Sequence, residues 1–315
     1  MNPLTSSLVG VVFGVIAAAS SVPGATGSAS SHEPEAAQTR TLYVTATDKN
    51  GLPVTDLQAA DFEIKIAGKT ADVASAQPAS VPLRVALLVA DQGTGAFQLG
   101  LARFMQTLLG HAEFTLVAVV VQPVTLVDYS HDGAALSAGL KQLGSRGRER
   151  GAQLIEAIQD ATRTVKHEAR RPVIVVLRTG GEAPSQISGN QVREELRQSG
   201  AALYAVSTAG AEGRAPSQSR AGISAEQAQL ADAELADSSA NLALVLGDGS
   251  KESGGRHDQV MANTHVKALE QLAQELLHQY EVVCSVPDGV KPGDKLSVSS
   301  KRKGITTRAP ARLPE

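Results

Sequence analysis

Two spacings of apolar residues alternate along the middle of the chain. Residues 81–90, "VPLRVALLVA", are apolar almost without interruption, which is typical of a strand covered on both faces of a sheet. The apolar residues after it recur every three or four positions and predict a helix: Phe97, Leu101, Phe104, Met105, Leu108 and Leu109. A strand followed by a helix is the unit from which parallel α/β sheets are built.

The same succession of strand and helix continues further along the chain. Helices are predicted at "GAALSAGLKQL", "GAQLIEAIQDATRTV" and "NQVREELRQSG", the last ending at Gly200, and strands at "RPVIVVLRTGG" and "AALYAVST". "EFTLVAVVV" and "PVTLVDYS" are close enough to form an antiparallel hairpin at the edge of the sheet. We therefore predict an α/β fold with a mostly parallel, Rossmann-like sheet and right-handed crossovers.

Polar stretches interrupt this pattern in the second half. Residues 209–222 and 248–258 are rich in Gly, Ser and charge and are predicted to be mobile loops, with His257 and Asp258 as solvated loop residues. Ser224 and Gln227 stand at capping-box spacing and predict the start of a polar helix. A last amphipathic helix is predicted around 264–280.

The two ends of this region carry short alternating strands. Leu42, Val44 and Ala46 alternate with polar residues before "DKNG", a hairpin turn, and Phe62, Ile64 and Ile66 alternate after it; these predict a small β module over residues 41–80. "YEVVCSV", "DKLSVSS" and "GITTRAP" predict further short strands near the end of the chain, and the fold class that we predict includes a small β module built from N- and C-terminal segments.

The first 29 residues contain no charged side chain. An apolar run from Leu8 to Ala19 precedes small residues, which predicts a signal peptide cleaved near Gly27–Ala29 and export to the periplasm or the medium. An uncleaved anchor and an apolar tail are the alternatives. Residues 30–40 are polar and predict a disordered linker.

Composition limits the possible functions. The formal charge of −3 gives no field that would attract nucleic acid, and the only cysteine, Cys284, cannot form an intrachain disulfide. Cys284 lies in an alternating strand and is interpreted as a core residue. The seven histidines do not cluster at metal-ligand spacing and no Gly-x-Ser-x-Gly elbow is present, so we predict no catalytic residue and no enzyme.

Motifs at both ends carry a family resemblance over about residues 41–309. "VTATDKNGLPVTDLQAADFEI" resembles the opening module of bacterial, acidobacterial-type VWFA-related proteins, and "ELLHQYEVVCSVPDGVKPGDKLSVSSKRKGITTRA" is similar to their closing helix, strand and basic hairpin. The opening motif is matched by Asp48, Gly51, Pro53, Val54, Leu57, Asp61 and Phe62. The region between would then be a von Willebrand factor A-type domain, with its ligand site at the carboxyl ends of the strands.

The resemblance also implies a metal site that this chain has largely lost. The family's metal-ion-dependent adhesion site uses a loop Asp-x-Ser-x-Ser, a threonine from a second loop and an aspartate from a third. Asp91 matches the first aspartate, but Gly93 and Gly95 replace the two serines and Thr94 is one residue out of phase. Ala152, or Gly151 if the alignment slips by one, replaces the threonine. Thr179 replaces the last aspartate.

One carboxylate and stray hydroxyls compete poorly with the hydration shell of Mg²⁺. We therefore predict no metal and no cofactor, and interpret Asp91 as a residue that accepts hydrogen bonds from the next amides and caps the following helix. The glycines after Asp91 could instead cradle an anion at a helix N-terminus, which is the alternative as a small-ligand binder or enzyme. Asp48 and Asn50 are interpreted as turn residues, not Ca²⁺ ligands.

These patterns together predict the organisation of the whole chain. A signal peptide (1–29), a linker (30–40) and a β module (41–80) would precede an A-type α/β domain (81–285) with a loop insertion (209–240), followed by a C-terminal β hairpin and tail (286–315). The predicted function is that of an exported, non-enzymatic module that binds an unidentified protein partner, without nucleic acid and without stable membrane insertion once the signal is removed. The partner would bind the rim formed by Asp91, Gly93, Thr94, Gly95, Ala152 and Thr179.

Overall fold

The computed structural model of the protein describes residues 38–145, 152–181, 183–209 and 224–314. The predicted signal peptide, most of the linker, Gly151 and nearly all of the predicted loop 209–222 lie outside these ranges. Within them, no helix is long and apolar enough to cross a membrane.

The described ranges contain thirteen strands, seven α-helices and a 3-10 turn (Ala59–Asp61). The strands are β1 (Thr39–Thr47), β2 (Phe62–Ile66), β3 (Lys69–Ala71), β4 (Val73–Pro78), β5 (Leu83–Ala90), β6 (Ala112–Ala118), β7 (Val124–Ser130), β8 (Arg171–Arg178), β9 (Ala202–Thr208), β10 (Arg256–Val260), β11 (Tyr280–Ser285), β12 (Leu296–Ser300) and β13 (Thr306–Arg308). The helices are α1 (Gln98–Leu108), α2 (Gly133–Gly144), α3 (Leu154–Val165), α4 (Gly189–Ser199), α5 (Ala225–Leu244), α6 (Ser250–Glu252) and α7 (His265–Leu277). A π-helical turn (Val245–Gly249) joins α5 to α6.

The central sheet has six strands in the order β10-β9-β8-β5-β6-β7. All neighbours are parallel except β7, which pairs antiparallel with β6 at one edge. Leu87 of β5 lies opposite Leu116 and Val175 and is fully buried, as a continuous apolar strand requires. The predicted α/β fold class and the edge hairpin are confirmed.

Helices cover both faces of this sheet. Val85, Leu87 and Val89 share a buried cluster with α1, α2 and α7, while Ala86, Leu88 and Ala90 pack against α3, α4 and the end of α5. Each fully buried Val or Leu side chain of this kind contributes about 1.5–3 kcal/mol through removal of apolar surface from water. The core therefore lies in two layers on either side of β5.

The remaining strands form a β module with its own core. One sheet has the order β13-β1-β11-β4 and the other β12-β2-β3, and apolar residues of both are buried together. Cys284 is among them, as predicted. The "DKNG" turn does not join β1 to β2 as a hairpin. Asp48 Oδ1 accepts the amides of Asn50 and Leu52, the turn closes with a bridge from Thr47 to Pro53, and β2 joins the other sheet.

Three further predictions about the ends of the chain are wrong. Tyr280–Ser285 does not belong to the α/β domain, because β11 pairs antiparallel with β1 and β4. The strands β12 and β13 do not form a C-terminal hairpin, since β12 pairs with β2 and β13 with β1. The predicted linker is too long by two residues, because β1 begins at Thr39. Alternation marks a half-buried strand but cannot say which sheet the strand enters.

The segment 248–258 is also not a loop. It contains the end of the π-helical turn, α6 and the start of β10, and Ser250 within it is fully buried. His257 and Asp258 are strand residues: His257 Nε2 lies 2.8 Å from Ser207 Oγ, and Asp258 Oδ2 accepts from Arg256 Nε at 2.6 Å. The glycines here permit close packing, because a Cβ at Gly255 would lie 1.9 Å from the Leu203 carbonyl oxygen.

Candidate functional site

Three loops meet at the carboxyl edge of the central sheet because β5, β6 and β8 are adjacent and parallel. Asp91 follows β5 and Thr179 follows β8. Ala152 precedes α3, and its neighbour Gln153 donates its amide to the carbonyl of Val120 beyond the end of β6 at 3.1 Å. The structure therefore brings all the predicted site residues to one edge.

Asp91 is buried at this edge, with 3% of its surface exposed. Its Oδ1 accepts the amide of Gly93 at 3.0 Å, while Oδ2 is buried and has no hydrogen-bond partner among the described residues. Asp91 does not cap the next helix, because α1 begins only at Gln98, with Phe97 at the cap. The prediction that Asp91 caps the following helix is therefore wrong, because several loop residues separate Asp91 from the start of α1.

Left-handed backbone shapes the loop after Asp91. Gln92, Gly93 and Gly95 have φ values of 56°, 69° and 69°. Thr94 directs both its amide and its hydroxyl to the carbonyl of Asp91, at 3.2 and 2.8 Å. The Thr94 hydroxyl is thus used as a donor within the loop.

A direct hydrogen bond joins the first loop to the third. The side-chain amide of Gln92 donates to the carbonyl of Gly180 at 2.8 Å. Arg178, buried at the end of β8, donates from Nη2 to the carbonyl of Gly181 at 2.6 Å. Sequence reasoning missed Gln92 and Arg178, and the only signal for either was its place next to a predicted site residue.

The donor atoms at this edge are few for a divalent cation. Mg²⁺ takes about six oxygen ligands in near-octahedral geometry. The predicted positions supply one carboxylate, Asp91, and the hydroxyls of Thr94 and Thr179. Across the described ranges, no group of three or more His, Cys, Asp or Glu side chains is placed to hold a metal ion.

The same loop is also poorly arranged for an anion. The amides of Gly93 and Thr94 already donate to the carboxylate and the carbonyl of Asp91. A buried carboxylate beside them opposes a second negative charge, whereas anion sites at helix N-termini need free amides. This arrangement weakens the alternative of a phosphate-type ligand.

Exposed apolar side chains are a further property of this edge. Leu99 in the first turn of α1 is 57% exposed, Val121 and Val124 at the tip between β6 and β7 are 54% and 42% exposed, and Met261 after β10 is 68% exposed. The starts of α1 and α7 are held together there by an edge-to-face contact of Phe97 with His265, with ring centroids 5.2 Å apart.

No protein-family model and no curated protein matches the chain. Structural neighbours are von Willebrand factor A domain proteins, including bacterial ones. A von Willebrand factor type A protein from Catenulispora acidiphila is 10% identical, with a TM-score of 0.46 over 89% of this chain and 75% of that one. The pilus adhesin SpaC from Lactobacillus rhamnosus GG is 10% identical, with a TM-score of 0.44 over 86% and 43%. The vWF domain of the type V pili tip protein Mfa5 from Porphyromonas gingivalis is 12% identical, with a TM-score of 0.44 over 63% and 96%.

Proposed function

We propose that the protein is an exported, non-enzymatic module that binds a protein partner through the carboxyl edge of its central sheet, at a degenerate metal-ion-dependent adhesion site. The observation that carries the proposal is the chemistry of this edge. Leu99, Val121, Val124 and Met261 expose large apolar side chains there, and such side chains on a folded surface are typical of protein contacts.

The proposed contact needs no metal ion. The residues that would hold Mg²⁺ in the family are glycine, alanine and threonine here, apart from Asp91. The first and third loops are instead joined by the hydrogen bond from Gln92 to Gly180. The partner surface would therefore be apolar, and not a carboxylate that completes a metal's coordination. With a net charge of −3, the protein is not expected to use nucleic acid as a partner.

Exposed apolar residues away from the edge supply a matched control. Leu52, in the turn after β1, is 54% exposed, and Leu109, at the far end of α1, is 44% exposed. The double variant Leu99→Ser, Met261→Ser and the control Leu52→Ser, Leu109→Ser remove two exposed apolar side chains each. The full chain and both variants would serve as baits for envelope and culture-medium fractions, with and without chelator.

We expect one protein to be retained by the native chain and by the control variant, and to stay bound in chelator. Its affinity for the rim variant should fall about tenfold or more, the loss expected for truncating anchor residues of an interface. Equal losses in both variants would place the contact elsewhere. Release by chelator would show that a metal takes part, and retention of no protein by the native chain would overturn the proposal.

A further inference from the structure

A cavity of about 230 Å³ lies at the opposite edge of the central sheet. It forms where β1 of the β module meets the amino ends of β8 and β9, and its walls include Leu42, Tyr43, Arg171, Val173, Ala202 and Pro310. The lining also includes polar and basic side chains, and Arg171 is the most deeply buried of the basic ones. The cavity is distinct from the rim described above, because it adjoins the starts of the strands and not their ends.

Arg171 is buried at this cavity, with 5% of its surface exposed. Its Nε donates to the carbonyl of Val81 at 2.7 Å, and its Nη1 donates to the carbonyl of Leu276 at 3.2 Å and to Gln279 Oε1 at 2.8 Å. The guanidinium carbon lies 5.5 Å from the centre of the Tyr43 ring. All three acceptors are neutral, and the Nη2 group makes no hydrogen bond to the described part of the chain.

A buried cation is costly unless an anion neutralises it. Burial lowers the pKa of Arg171 from its ordinary value. Tyr43, Tyr204 and Glu281, which lies opposite Tyr43 in the β1–β11 pair, oppose that shift through electrostatic interaction and not through hydrogen bonds. None of the ion pairs between the described residues includes Arg171. Tyr43 lines the same cavity, and its hydroxyl is a second potential donor there.

The surroundings of the cavity add positive charge. Lys166, His167 and Arg170 all line it. Glu113 lies 3.7 Å from Arg170 but already pairs with Arg84 at 2.5 Å. An anion approaching this cavity would meet three basic side chains before it reached Arg171.

We propose that this cavity binds a small organic carboxylate, with its carboxylate group at Nη2 of Arg171 and the Tyr43 hydroxyl and its apolar body against Val173 and Ala202, which lie opposite each other in β8 and β9. The Nη2 group and the Tyr43 hydroxyl match the two oxygens of a carboxylate, and the apolar part of the wall favours an organic acid over inorganic phosphate or sulfate. The cavity exceeds the ~150 Å³ apolar cavity that holds benzene, so acids of about six to nine non-hydrogen atoms fit. This inference does not depend on the function proposed for the rim.

The test uses hexanoate and benzoate as probes, with hexanamide and benzamide as neutral analogues of the same shape. Binding to the full chain is followed by calorimetry and by the backbone amide signals of two glycines at the cavity, Gly200 and Gly254. Gly68 and Gly304, in distant turns of the β module, serve as reference signals. We expect saturable binding of an acid that shifts only the cavity glycines, and no binding of the amides.

Two variants test the role of charge. Arg171→Gln should weaken binding of the acid about tenfold to a hundredfold, as loss of a charge-assisted hydrogen bond predicts. If that variant does not fold, Lys166→Gln at the cavity should weaken binding measurably at low salt, while Lys267→Gln, an exposed lysine on α7, should not.

Short peptides with a free or an amidated carboxyl end show whether the cavity binds a small acid or the carboxyl terminus of a protein. The proposal predicts that hexanoate binds at least as tightly as a short peptide with a free carboxyl end. Tighter binding of the peptide would assign the cavity to a protein terminus and overturn the small-acid proposal. Equal binding of acid and amide, shifts at Gly68 as large as those at Gly200, or no binding of either acid would also overturn it.

Discussion

The side-chain amide of Gln92 donates a 2.8 Å hydrogen bond to the carbonyl of Gly180, and this contact joins the first and third loops of the rim. Gln92 has a left-handed backbone with φ of 56°, which costs a non-glycine residue about 1–2 kcal/mol. Gln92→Gly removes the hydrogen bond, worth about 0.5–1.5 kcal/mol, but also removes that strain. We expect the free energy of unfolding to change by less than about 1 kcal/mol, while hydrogen exchange at Gly93 and Gly181 becomes faster.

Gln98 gives the matched control for this variant. Its side-chain amide also donates to a carbonyl, that of Leu140 at 2.9 Å, but its backbone belongs to α1. Gln98→Gly loses the hydrogen bond and helix propensity together, so we expect a loss of about 2 kcal/mol in urea unfolding. An equal loss for Gln92→Gly would show that the left-handed backbone at Gln92 carries no strain.

The rim is expected to bind no divalent cation specifically. Asp91 is the one carboxylate at the predicted positions, and a single carboxylate competes weakly with the hydration shell of Mg²⁺. Calorimetry of the full chain with Mg²⁺ and Mn²⁺ should show only weak, non-saturating heats, and Asp91→Asn should leave them unchanged. A saturable one-site isotherm at micromolar metal that Asp91→Asn abolishes would contradict this prediction and show that the rim binds a metal ion through Asp91.

Gly93 and Gly95, which replace the two serines of the family's first loop, adopt a left-handed backbone that favours glycine. Gly93 and Gly95 both have φ of 69°, so Gly93→Ser and Gly95→Ser should each lower the free energy of unfolding by about 1–2 kcal/mol. Gly247, which has no positive φ and no neighbour within reach of a Cβ, is the control. Gly247→Ser should be neutral or slightly stabilising, because the change restricts the unfolded chain. If all three variants have the same stability, the loop adopts another backbone in solution.

Much of the fold can be predicted from the spacing of apolar residues. A strand that is buried on both faces, such as Leu83–Ala90, must be apolar at nearly every position, and this pattern is recognisable in the sequence. The sheet that Tyr280–Ser285 joins cannot be predicted in this way, because a half-buried strand alternates in the same manner in the central sheet and in the β module. Residues 248–258 were misread because their glycines suggested flexibility. At Gly255, however, glycine is required by contact with the Leu203 backbone. The rim positions could be aligned from sequence, but the contact of Gln92 with Gly180 depends on a loop conformation that no local pattern encodes.

Glu275 holds the β module and the α/β domain together. It lies on α7, is 3% exposed, and pairs with Arg256 of β10 and Arg308 of β13. Glu275→Gln leaves two largely buried arginines without this carboxylate, although Asp258 still pairs with Arg256, so we expect a loss of about 3–5 kcal/mol. Glu270→Gln, on the same helix, breaks only the exposed pair with Arg103 and should cost less than about 1 kcal/mol. Similar losses in urea unfolding would contradict the role given to Glu275.

The single thiol of the chain reports on opening of the β module. Cys284 is fully buried in β11 between β1 and β4, and burial raises the pKa of its thiol above the ordinary value of 9.0. A thiol reagent should therefore label the unfolded chain at once and the native chain only through opening of this sheet.

The pH dependence of that labelling follows from the raised pKa. The unfolded thiol ionises near its ordinary value of 9.0, whereas the folded thiol stays protonated to higher pH. The stability that this group contributes is therefore fully present below pH 9 and falls as the pH rises further. Native labelling should accelerate above pH 9 more steeply than labelling of the unfolded chain, and urea unfolding of Cys284→Ala should lack this extra loss of stability. Native labelling as fast as that of the unfolded chain at pH 7 would show that β11 is not protected in the folded protein.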